Sequence, residues 1–139
     1  MKVLIAVTHL LGTGHLSRGL TLGRAFADAD HQVTIVSGGF AAPQLNADGI
    51  DLLQLPPLRS DGIDFTRLLT ASGVVADADY YRKRQVMLCN ALTNLQPDIL
   101  FTELYPFGRR RLANEFQALL TTAQAQPRPP VVLLPLTYI

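Results

Sequence analysis

Two short segments hold the side chains best suited to chemistry. The first, Gly12-Thr13-Gly14-His15, is a glycine-containing turn at the start of a helical pattern. The amino end of a helix offers N–H groups and a positive dipole, both of which favour an anion. That dipole disfavours a protonated His15, which therefore reads as a general base or as a hydrogen-bond donor to a phosphate or hydroxyl. A capping or packing histidine is the competing reading. The second segment is Glu103-Leu104-Tyr105-Pro106-Phe107-Gly108-Arg109-Arg110-Arg111. It puts three arginines in the first turn of a helix, where acidic residues are the usual occupants. Such a cluster calls for a bound phosphate, a carboxylate such as Glu103 or Glu115, or solvent, and Arg109 is the member assigned to a ligand.

Several familiar chemistries are excluded by what the turn lacks. Gly12-x-Gly14-x-x-Ser17 has no third glycine, and Thr34-Ile35-Val36-Ser37-Gly38 has no acid to hold a ribose, which argues against NAD. No Gly-Lys-Ser/Thr ending follows the turn, so a triphosphate-hydrolysing loop of that type is excluded. Generic anion or sugar-phosphate binding survives, beside the plain alternative that the glycines only make a tight strand-to-helix turn. Histidines and carboxylates show no metal-ligand spacing, so neither metal nor cofactor is expected. His9 and His31 read as structural, Arg82-Lys83-Arg84 as a solvated helix face, and Cys89 as a small buried hydrophobe.

The elements that must position these residues follow an alternating rhythm. Lys2 to Thr8 is a β-rich apolar run feeding the glycine turn. From Leu16 to Ala29 the apolar positions Leu16, Leu20, Gly23 and Ala27 repeat with helical spacing. Val33 to Val36 is a second strand. A short helical or irregular stretch at Ala41 to Ala47 precedes a third strand, Ile50 to Leu55, closed by Pro56-Pro57. Arg59 to Asp79 is expected to be a long loop with one helical turn near Phe65 to Leu69. Tyr80 to Leu95 reads as a helix with Tyr81, Leu88, Leu92 and Leu95 inward, and Ile99 to Thr102 as the fourth strand. Leu112, Phe116, Leu119 and Ala123 form a further helical stripe, and Val131 to Leu134 is a final strand.

Strands that are apolar almost throughout belong to a mainly parallel sheet covered on both faces. The expectation is an α/β, Rossmann-like three-layer αβα domain of about five strands in the order 3-2-1-4-5. Ligands of such sheets bind beyond the carboxyl ends of the strands, where the order reverses between strands one and four, and both segments fall there.

Composition is consistent with this. The chain has 139 residues, 48% of them hydrophobic and 17% charged, with a net charge of +1, which is a single domain able to bury its own core. Near-neutral charge argues against a broad nucleic-acid footprint, although Arg supplies most of the twelve basic residues and suits local anion sites. One cysteine permits no intrachain disulfide and points to a reducing, cytoplasmic setting. No run approaches the ~18 apolar residues of a membrane span, which leaves a peripheral membrane contact open.

Taken together, Val3 to Val7, the turn Gly12-Thr13-Gly14-His15-Leu16-Ser17-Arg18, the strand ending Ser37-Gly38-Gly39, and Thr102-Glu103 with Pro106-Phe107-Gly108-Arg109-Arg110 resemble the amino-terminal half of bacterial MurG-like glycosyltransferases of the GT-B class, family 28-like. The resemblance runs to about residue 134. It implies two Rossmann-like domains facing a cleft, of which residues 1–139 are the acceptor-side one, with the donor-binding domain absent. It also implies transfer of a sugar from a nucleoside-diphosphate sugar to an acceptor hydroxyl, in concert with a donor-domain subunit or second domain. His15 becomes the catalytic candidate, with Gly12, Thr13, Gly14, Arg18, Glu103 and Arg109 as substrate-binding candidates. The alternatives are a stand-alone anion or sugar-phosphate-binding module and a non-catalytic remnant.

Overall fold

The computed structural model describes residues 1–63, 67–103 and 112–134. Five strands, β1 (Lys2–Val7), β2 (Gln32–Ser37), β3 (Asp51–Gln54), β4 (Ile99–Glu103) and β5 (Val131–Leu133), form one parallel sheet ordered β3-β2-β1-β4-β5. This is the predicted order. Among the described residues three helices, α1 (Gly14–Asp28), α2 (Ala78–Leu95) and α3 (Ala113–Gln124), cover it. Because side chains alternate along a strand, β1 feeds two cores at once. Val3, Ile5 and Val7 pack with Leu16 and Leu20 of α1, while Leu4 and Ala6 pack with Leu88 and Leu92 of α2 and Phe116 and Leu119 of α3. A strand buried on both faces has no polar alternation, and the fold is a three-layer αβα sandwich.

Local signals set the helix boundaries. Asp77 caps α2 by accepting the Tyr80 N–H, and Asp79 adds an acid to the first turn. At the other end Gln96 takes a left-handed conformation and Pro97 prevents continuation.

Four sequence expectations need correction. Arg82-Lys83-Arg84 is not uniformly solvated: Arg84 is fully buried, because it stands one turn before Leu88 and two before Leu92 on the inward stripe. Cys89 is only partly buried. Burial on both faces holds for β1 but fails at the sheet edges, where β3 and β5 are exposed along their length because the helices cover the sheet's centre. The helical turn near Phe65 to Leu69 is also replaced. Phe65 and Thr66 lie outside the described residues, and Leu69 bridges in antiparallel fashion to Arg59 and Val75. No described helix is long and apolar enough to cross a membrane.

Candidate functional site

Register brings Gln54, Ser37, Val7 and Glu103, the last residues of four neighbouring strands, into one row at the carboxyl edge. The β1/β4 boundary in that row is the switch point of the sheet. The chain runs from Val7 through Thr8, His9 and Leu10 into the glycine turn, where Gly12 has φ +68°, a conformation costly for residues with a Cβ. Thr13 then precedes α1. Its carbonyl accepts the Ser17 N–H at 2.8 Å, but its side chain does not cap the helix, and the first turn holds no acid. The positive end of α1 is therefore not compensated by its own N-cap or first-turn side chains.

Three charged or titratable side chains meet above β4. Glu103 is 5% exposed, and its Oε1 lies 2.7 Å from Nε of Arg18. Arg18 is one turn along α1 from His15, so the two share a helix face. The Arg18 Nη2 donates to His15 Nδ1 at 3.1 Å, whereas the other Glu103 oxygen is 3.9 Å from that same nitrogen. The closer partner governs: an arginine only donates, so Nδ1 accepts.

On the other side of the glycine turn lies an open cavity of about 270 Å³, lined by Leu11, Gly12, Thr13, Phe40, Arg59 and neighbouring residues. The Arg59 guanidinium lies 5.4 Å from the centre of the Phe40 ring. Beneath, the loops are held together by side-chain hydrogen bonds to backbone carbonyls. His9 Nε2 donates to the Phe40 carbonyl at 2.8 Å. Gln54 Nε2 donates to the carbonyls of Ser37, Gly39 and Leu55. A Cβ at Gly38 would run into Thr8 and Arg84, and one at Gly39 into His9, which explains the glycine pair after β2.

Arg84 is the hub of this layer. Its guanidinium donates to the carbonyls of Gly38, at 2.8 Å, and Pro56, to Thr8 Oγ1 at 3.4 Å, and to Glu115 Oε1 at 2.9 Å. It thus ties the segments that leave β1, β2 and β3 to α3. Burial pushes the Glu115 carboxyl up, against the smaller pull of Arg84. A wider groove of about 400 Å³ lined by Lys2, Asp98 and Arg128 sits at the opposite end of the sheet, away from the strand carboxyl ends and so from the switch point.

Of the residues singled out from sequence, Gly12, Thr13, Gly14, His15, Arg18 and Glu103 come together at the switch point. Arg109, with Arg110 and Arg111, lies outside the described residues. Glu103 and Glu115, the carboxylates considered as partners for those arginines, bind Arg18 and Arg84. Phe40, Arg59 and Arg84 escaped the sequence reading, although Arg84 keeps the four-residue spacing of Leu88 and Leu92. No three side chains able to ligate a metal cluster among the described residues.

No family model and no curated protein matches the sequence. Solved structures do. MurG from Acinetobacter baumannii superposes with a TM-score of 0.59 at 14% identity, over 96% of this chain and 34% of that one. SsfS6, a glycosyltransferase from Streptomyces sp. SF2575, gives 0.58 at 13% identity, over 96% and 39%. CalG4, the calicheamicin glycosyltransferase, gives 0.52 at 22%, over 96% and 32%. The chain has the fold of the GT-B glycosyltransferases. It spans only about a third of the length of the three, and within that glycosyltransferase fold the His15-Arg18-Glu103 group occupies the switch point of the sheet.

Proposed function

We propose that this chain is the acceptor-side, amino-terminal domain of a GT-B glycosyltransferase that acts with a donor-binding second domain or subunit. The reaction moves a sugar from a nucleoside-diphosphate sugar to an acceptor hydroxyl. One observation carries the reading: the uncapped positive end of α1, with His15 and Arg18, stands beside Glu103 at the switch point of the sheet. In such a displacement the diphosphate leaves the anomeric carbon while the hydroxyl attacks. Helix N–H groups and a cation lower the barrier by stabilising charge that develops on the leaving oxygen. The Phe40 and Arg59 cavity beside the turn offers a place for the acceptor. Holding both substrates in line supplies much of the rate, so the second domain is needed for turnover. A cytoplasmic setting fits the single cysteine, and a peripheral membrane contact accords with an acceptor held in a lipid surface.

The test mixes the chain with a donor domain and supplies UDP-, dTDP- and GDP-sugars with hydroxyl acceptors, following release of nucleoside diphosphate. Release that requires both domains and falls on His15→Ala supports the proposal. No release with any donor, together with tight binding of sugar phosphates by the chain alone, would assign it instead to the stand-alone binding modules.

A further inference from the structure

We propose that Arg59 is the specificity-determining residue of the cavity beside the glycine turn, and that this cavity takes an acceptor group in which a carboxylate or a phosphate is carried on an apolar body. The lining sets this chemistry. Leu10, Leu11, Phe40 and Ala41 supply apolar walls, and among the described residues that line the space Arg59 is the single Lys or Arg and none is acidic. A cation in such a wall favours a negative group over a neutral one, and the walls favour a ring or short chain over a bare ion. At about 270 Å³ the space suits one group of that size and not a whole oligosaccharide.

Arg59 is placed to meet such a group. Among the described residues its guanidinium meets the Phe40 ring, 5.4 Å from the ring centre and within cation–π range, and makes no ion pair. A contact through the flat face leaves the N–H edges open, and that fork matches the paired oxygens of a carboxylate or phosphate. Arg18 and Arg84, at the same end of the sheet, are by contrast bound to Glu103 and Glu115. The backbone under Arg59 is fixed on both sides. Arg59 exchanges hydrogen bonds with Leu69 at 3.1 and 2.8 Å, the Leu58 N–H donates to the Gly38 carbonyl at 3.0 Å, and the Ser60 N–H donates to the Leu10 carbonyl at 2.9 Å. Phe40 is anchored from below by the His9 Nε2 bond to its carbonyl. A cation and a ring held in place before the ligand arrives lose less entropy on binding. The preference for an anion stands on the cavity itself, whereas its assignment to an acceptor rests on the function proposed above.

The experiment titrates the intact chain with benzoate, phenyl phosphate and the neutral benzamide, following backbone ¹H–¹⁵N signals of residues 9–13, 40 and 59–60. Both anions should bind, with benzamide about tenfold weaker, the ratio that one charge-assisted hydrogen bond supplies. The tighter of the two anions names the group. Arg59→Gln, a change at an exposed side chain, should bring the three probes to within about twofold of one another, and Arg59→Lys, which keeps the charge without the fork, should fall between. Benzamide that binds the wild type as well as the anions do, or no binding of any probe, would overturn the proposal. So would an anion preference that survives Arg59→Gln, which would place the anion on another group, such as the amino end of α1. The titrations need no donor domain, so a failure of sugar transfer leaves their result standing, and their failure leaves transfer standing.

Discussion

Sealing the Arg84 guanidinium away from water costs several kcal/mol unless its donors are matched, and the four acceptors around Nη1 and Nη2 do most of that work, with Nε left without a partner. Removing it should therefore be severe. Arg84→Met leaves the Glu115 carboxylate and the Gly38 and Pro56 carbonyls without their cation, and a loss of about 3–5 kcal/mol is expected in denaturant titration. Arg84→Met with Glu115→Leu should lose less than the two single losses summed, since the second change removes the stranded acid. Glu115 also predicts a pH dependence. Its folded carboxyl is raised, chiefly by burial, so the folded chain holds that proton more tightly than the unfolded one, whose value is near 4.5. Its contribution is complete below that value and is lost as pH rises through the folded value. Glu115→Gln does not titrate, so its stability relative to wild type should improve as pH rises from the unfolded value near 4.5 through the raised folded one, as read from unfolding midpoints. A relative decline over that range would contradict the direction given for Glu115.

At the scale of elements, α2 separates packing from decoration. Leu92 is fully buried in the layer between α2, α3 and the sheet, whereas Val86 is 51% exposed on the same helix. Leu92→Ala should cost about 2–5 kcal/mol by leaving a cavity, and Val86→Ala should fall within about 0.5 kcal/mol of wild type, both measured by thermal or denaturant unfolding. The same helix shows what was legible in the sequence. Leu88 and Leu92 declare the inward stripe, and doubly buried β1 and β2 declare themselves as unbroken apolar runs. Strand order followed from those patterns, and the residues around the glycine turn followed from the switch-point rule. Arg84 was misread because its charge outweighed its position: only long-range partners, 46 residues away at Gly38 and 31 away at Glu115, make burial tolerable. The role of Arg59 was equally hidden, since its stacking on Phe40 joins loops after two different strands. Edge exposure escaped for a similar reason: apolar composition does not tell a central strand from an outer one.

For the molecule as a whole, the sheet ends in two unlike margins. β3 has a polar residue at each end, Asp51-Leu52-Leu53-Gln54, whereas β5 and the residue after it are wholly apolar, Val131-Val132-Leu133-Leu134, and all four are at least 37% exposed. An apolar edge strand with open backbone groups is a template for another strand. The chain should therefore associate with rising concentration in sedimentation or light scattering, and Val132→Lys should shift that association to higher concentration without unfolding the domain.

The Arg84 hub also imposes an order on synthesis. When α2 leaves the ribosome, its guanidinium can reach backbone oxygens already made, but the carboxylate that neutralises it lies 31 residues further along the chain and is still in the exit path. Docking α2 before α3 emerges would trap a lone cation in an apolar layer, so the newly made chain waits, its second layer undocked, until residue 115 is free. A released fragment of residues 1–103 should be cut readily by protease within α2, and the whole chain, which supplies α3, should resist. The last helix thus acts as the latch of the whole sandwich.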